Sequence, residues 1–132
     1  MSMNILVAYD GTKEAREAVR LAAKHAKAFA GRIVLAYSMV GGPEIPRAEF
    51  ERAEKELDSQ AIALKEEGVE CETLLSVRGL ETGEDIIRIA EDKAAGEIIM
   101  GVQRKSKVGK LLFGSTAQYV ILNASCPVVT VR

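Results

Sequence analysis

An open α/β sandwich built on a parallel sheet is the fold this sequence predicts, and three observations predict it. Five short apolar runs alternate with four stretches of helical periodicity. Alternation of that kind calls for parallel pairing, because each helix carries the chain back along the sheet and covers one of its faces. The 132 residues fill a single domain, 1–132. At this length roughly two thirds of the unfolded surface is buried, which is core enough without disulfides or a structural metal.

Residues 4–9 (NILVAY) form the first strand, closed by the turn residues Asp10, Gly11 and Thr12. In the helix that follows, Ala15, Ala18, Val19, Ala22, Ala26, Phe29 and Ala30 share one arc, with Arg16, Glu17, Arg20, Lys24 and Lys27 opposite. The small alanines let this helix lie close on a sheet, and Gly31 is expected to end it. Residues 33–37 (IVLAY) read as a buried second strand running into the loop SMVGGPEIP. Phe50, Ala53, Leu57, Ala61 and Leu64 then recur at helical spacing up to Gly68. Val69, Cys71, Thr73 and Leu75 alternate with Glu70 and Glu72, the pattern of a third strand with one wet face, near a sheet edge. Thr82 and Asp85, three apart, resemble a capping pair opening a third helix on Ile86, Ile87, Ala90 and Ala94. Residues 97–100 make the fourth strand. After a long loop, Ala117, Val120, Ile121 and Ala124 mark the fourth helix, and residues 127–131 form the last strand.

Composition narrows the function. With 48% hydrophobic and 28% charged residues the chain is too apolar to be disordered and reads as a water-soluble domain. Cys71 and Cys126 lack Cys-x-x-Cys or His spacing, which argues against a zinc site or a secreted disulfide framework and for a reducing cytoplasm. No apolar run approaches the ~20 residues of a membrane span, and no signal core opens the sequence, so neither export nor a membrane is expected. The net charge of −1 conceals an asymmetry: no carboxylate follows Glu97, while Arg104, Lys105, Lys107, Lys110 and Arg132 do. A short basic loop on an acidic body suits a small anion such as a phosphate chain. Nucleic acid usually demands a broad basic face, so it is not an expected partner.

The basic residues lie in residues 101–113 (GVQRKSKVGKLLF), a connection about twice the usual ~2–6 residues. It ends in Gly114, Ser115 and Thr116, where a glycine permits close backbone approach and a helix start offers unpaired N–H groups. Gly109-Lys110 is followed by Leu111, so there is no P-loop. His25 is the only histidine, without an assured carboxylate or serine partner, and reads as structural.

The whole chain resembles the universal stress protein family. The resemblance rests on NILVAYDGT, on IIRIAEDKAAGEIIMG, on the GST that opens the fourth helix and on the ending CPVVTVR. It implies a Rossmann-like sheet in the order 3-2-1-4-5 with two helices on each face, bringing the loops after strands one and four together. It also implies ATP or a related adenine nucleotide between those loops, with Mg2+ as a companion ion, and a homodimer formed through the C-terminal edge strand. Asp10 and Tyr37 would lie near the adenosine, and Gly101, Gly114, Ser115 and Thr116 around the phosphates. The nucleotide-binding branch carries Gly-x-x-Gly, nine residues, then Gly followed by Ser or Thr. Here Arg104 holds the second glycine position with the spacing intact, so it either blocks the phosphates or supplies a charged fork to them.

Each of these residues also has a plainer reading. Ser115 to Gln118 fits a capping box, Asp10 could cap the first helix or shape the Gly11 turn, and Tyr37 could be a strand-end aromatic. No general base or metal-binding carboxylate cluster accompanies Asp10, so at most slow ATP hydrolysis is expected, with no catalytic residue assigned. Two functions follow: a stress-response regulatory module that binds an adenine nucleotide, or a dimeric interaction protein whose pocket Arg104 has closed.

Overall fold

The computed structural model describes residues 3–103 and 114–132. Strands β1 (Asn4–Ala8), β2 (Arg32–Ser38), β3 (Cys71–Ser76), β4 (Glu97–Gly101) and β5 (Val128–Val131) pair in parallel in the order β3-β2-β1-β4-β5. The connecting helices are α1 (Lys13–Phe29), α2 (Arg47–Glu66), α3 (Thr82–Asp92) and α4 (Ser115–Asn123). In the central register Val7 sits between Leu35 and Ile99, and at the far end of β4 Gly101 pairs with Val131 of the edge strand.

The period-2 alternation of the strands sorts the core into two layers. Ile5, Val7, Ile33, Leu35 and Ile99 pack against the alanine arc of α1 and against Leu57 and Leu64 of α2. Leu6, Val34, Ala36, Ile98 and Met100 face Ile86 and Ile89 of α3 and Ala117 and Val120 of α4. Both faces are thus covered, and burying each large aliphatic side chain contributes about 1.5–3 kcal/mol. The chain leaves β1 toward one face through α1 and returns from β4 toward the other through α4, so the carboxyl ends of β1 and β4 frame the switch point of the sheet. Among the described residues no helix is long and apolar enough to cross a membrane.

Several local expectations give way to tertiary contacts. Ala30, not Gly31, takes the left-handed position that ends α1, with φ 53°. Gly31 is small for another reason: a Cβ there would lie 2.9 Å from the Met3 carbonyl oxygen. Phe29 leaves the apolar arc, is 55% exposed and packs its ring on His25. His25 does have a carboxylate partner, Glu97, with Nδ1 2.7 Å from Oε1. Thr82 does not cap α3 with Asp85, because the cap position is Glu81 and Asp85 turns into the core. Ser115 lies one residue too far along for the expected capping box, since Gly114 is the cap of α4.

Candidate functional site

The first wall of the site is the turn from β1 into α1. Asp10 Oδ1 accepts from the Thr12 amide at 3.1 Å and from the Thr12 hydroxyl at 2.7 Å. Thr12 Oγ1 in turn accepts from the Ala15 amide at 3.1 Å and so caps α1. Arg16 donates to the Gly11 carbonyl at 2.7 Å, and the Tyr37 hydroxyl donates to the Asp10 carbonyl at 3.3 Å. Burial, then the Asp10 charge, push the Tyr37 phenol above its usual pKa, so it keeps the proton it donates. Asp10 is exposed, and these contacts fix its carboxylate at the lip of the sheet.

Across the switch point lies the start of α4. Asp10, Thr12, Ser38, Thr82, Met100, Gly101, Val102, Gln103, Gly114 and Thr116 border one cleft of about 290 Å³. A smaller hollow of about 60 Å³ shares Asp10, Ser38, Thr82, Met100, Gly101 and Thr116 with that cleft and adds Ala8, Tyr9, Ala36 and Ile86. Ser115, Thr116, Thr82 and Tyr119 line a further groove between the starts of α3 and α4. Three helix N-termini, those of α1, α3 and α4, therefore border clefts that share lining residues, each presenting the positive end of its dipole.

Two glycines of this cleft are held by different forces. A Cβ on Gly101 would lie 2.3 Å from the backbone carbon of Glu14 and 2.6 Å from the Ala15 nitrogen, so β4 and the first turn of α1 touch there. At Gly114 φ is −64°, and no described atom beyond its chain neighbours lies within 4 Å of a Cβ. Neither backbone strain nor described packing calls for glycine at Gly114.

A polar chain centred on buried Asp85 adjoins the cleft through Ser38. The Ser38 hydroxyl donates to Asp85 Oδ2 at 2.5 Å, and Arg78 Nε donates to Asp85 Oδ1 at 2.7 Å. Asp85 is 1% exposed. Burial alone would raise its pKa, but the bonds from Ser38, Ser76 and Arg78 and the Arg78 charge outweigh that and hold the carboxyl below its usual value.

The sequence profile of the universal stress protein family matches residues 1–132. A universal stress protein of Thermus aquaticus is 35% identical over 141 residues, covering 100% of both chains. This chain belongs to the universal stress protein family. The solved structure of a universal stress protein from Archaeoglobus fulgidus, 31% identical, superposes with a TM-score of 0.88 over 100% of this chain and 95% of that one. A second structure from the same organism, determined in complex with dAMP, is 26% identical with a TM-score of 0.83, covering 100% of this chain and 98% of that one.

In this universal stress protein the expected site residues separate into three groups. Asp10, Gly101, Gly114 and Thr116 come together on the cleft, and Ser115 lies on the adjoining groove. Tyr37 does not line the cleft. Its ring packs on the α1–α2 face with Tyr9, centroids 6.2 Å apart, and supports the Asp10 turn from behind. Arg104, with Lys105, Lys107 and Lys110, lies outside the described residues. The sequence reading missed Ser38, Thr82 and Met100. For Ser38 the signal was available: two places after Ala36, it must share that residue's face and not that of Tyr37.

Proposed function

We propose that this universal stress protein is a regulatory module that binds ATP or a related adenine nucleotide in the cleft between the β1–α1 turn and the start of α4. The observation that carries the reading is the meeting of Asp10 with the Gly114–Thr116 helix start around one cleft at the switch point of a parallel sheet. Gly114 gives phosphate oxygens room to reach the backbone N–H groups of α4, an approach that a side chain would obstruct. Among the described residues both hydrogen bonds to the Asp10 carboxylate fall on Oδ1, so Oδ2 keeps its capacity to accept from a hydroxyl or amine of the adenosine. The relative solved with dAMP supports an adenine nucleotide as the ligand class. Mg2+ would arrive with the triphosphate as its counter-ion. The carboxylate of Asp10 is engaged in holding its own turn, which fits slow hydrolysis at most and a signal carried by occupancy.

Calorimetry with ATP and Mg2+ is expected to give a saturable isotherm, and a thermal shift of the same sign should accompany it. Absence of both at millimolar ATP would overturn the reading in favour of the dimeric interaction protein. Arg104→Gly separates the two roles of that arginine. Lost affinity identifies a phosphate-binding fork, and gained affinity identifies a plug.

The same reading includes a homodimer through β5. That strand occupies a free edge of the sheet among the described residues, and α4, which leads into it, leaves Ile121 43% and Leu122 81% exposed. Unpaired strand amides beside exposed aliphatic side chains suit a second copy of the chain.

A further inference from the structure

At the end of the sheet opposite β5 stands β3, with β2 on one side and an open edge on the other. The Glu70 and Ser76 carbonyl oxygens accept from the amides of Ile33 in β2 at 2.9 Å and Met39 just beyond it at 2.8 Å. Backbone groups alternate in direction along a strand, so Cys71, Thr73 and Leu75 turn their N–H and C=O to the open edge. Among the described residues no strand pairs with them. A groove flanks that edge on each face. On the α2 face about 560 Å³ opens over Ala61, Ile62, Val69 and Cys71, with Lys65 and Glu70 also lining it. Ile62 is 60% exposed there. On the α3 face about 500 Å³ opens over Leu74 and Ile89, lined also by Ser76, Arg78, Asp92 and Lys93. Successive residues of a strand point to opposite faces, so one laid along β3 would send alternate side chains toward the two grooves.

The charges along this edge say what would cover it. Three cations serve four carboxylates: Arg32 pairs with Glu70 and Glu72, Lys93 with Glu72, and Arg78 with Asp85 and Asp92. Lys65 adds one cation and its neighbour Glu66 one carboxylate, which leaves the edge a positive charge short. The side chains of Glu70 and Asp92, 73% and 65% exposed, each share their cation with a less exposed carboxylate. We propose that the β3 edge docks an extended segment of another protein, in which aliphatic and basic side chains alternate, as a sixth strand of the sheet. Its backbone pairs with Cys71, Thr73 and Leu75, and its aliphatic side chains enter the groove over Ile62 and Val69. A lysine or arginine on its other face lays its stem on Leu74 and Ile89 and its charge beside Asp92. A second copy of this chain is the poorer occupant, because it would set the same surplus of carboxylate against itself. This surface goes beyond the nucleotide reading and does not depend on it.

The probe is a labelled peptide of about eight residues, a usual strand length, with valine and lysine in alternation. Titrated by fluorescence anisotropy against the full chain, it is expected to bind saturably, and its valine–glutamate counterpart at least about fivefold more weakly. Asp92→Lys should remove that preference, and Ile62→Asp should weaken the valine–lysine peptide about tenfold. Thr73→Pro removes an N–H that faces away from β2, where proline is tolerated, and should weaken the peptide by at least about tenfold. Methylating alternate backbone nitrogens of the peptide should do the same without touching the protein. Each variant is first checked for a native thermal transition, and if Thr73→Pro does not fold the methylated peptide decides. No binding at millimolar peptide, equal binding of the two peptides, or affinity indifferent to backbone methylation overturns the proposal. So does a mass in sedimentation that falls in folded Thr73→Pro, which would give this edge to a second copy.

Discussion

A Cβ placed on Gly101 would drive into the backbone of Glu14, whereas one on Gly114 meets no described atom. The two substitutions should therefore part company. Gly101→Ala must push the first turn of α1 away from β4, and overpacking of that kind costs about 1–3 kcal/mol. Gly114→Ala keeps a permitted backbone at a helix cap, where alanine in place of glycine costs under about 1 kcal/mol. Its main effect should be weaker ATP binding. Urea midpoints and ATP titrations on the two variants measure both quantities, and equal stability losses with unchanged affinity at Gly114 would refute the assignment of that glycine to the ligand. The motif glycines look alike in the sequence because a one-letter code records the missing side chain and not what occupies its place. Only packing distinguishes a glycine held against a helix from one kept open.

Thr12 joins the two kinds of role within one element. Its hydroxyl caps α1 through the Ala15 amide and at the same time donates to Asp10, so the start of the helix and the lip of the cleft share one oxygen. Thr12→Ala is expected to cost about 1 kcal/mol of stability and, by freeing the Asp10 carboxylate, to lower ATP affinity several-fold. Thr12→Ser should restore both, and affinity unchanged in Thr12→Ala would show that Asp10 is not held by this contact. The helices were legible wherever periodicity and length agreed, as in α1 with its alanine arc. Their ends were not. Thr82 and Asp85 have the spacing of a capping pair, yet Asp85 is drawn inward by Ser38 and Arg78, partners 47 and seven residues away. Such long-range pairing is invisible to a window of a few residues. Tyr37 and Ser38 adjoin in β2 yet project to opposite faces of the sheet, so of the two only Ser38 borders the hollow beside Ala36.

At the scale of the molecule, five strands and four helices in alternation left the parallel architecture little choice. The order β3-β2-β1-β4-β5 came from family resemblance, since periodicity says which residues face a core and nothing about which strands are neighbours. Sedimentation at micromolar concentration is expected to give twice the mass of the chain, with Leu122→Asp shifting the population toward the single chain. A monomer throughout would remove the proposed β5 interface. The pairing of Gly101 with Val131 then acquires a thermodynamic meaning. One end of that pair touches the cleft proposed for the nucleotide and the other belongs to the edge proposed for a second copy, so a ligand that adjusted β4 would act on the strand through which the two copies would meet. Reciprocity requires that whatever factor ATP contributes to assembly, assembly must return to ATP. Where ATP favours assembly, dilution alone would release nucleotide, and the protein would register its own abundance as well as that of its ligand.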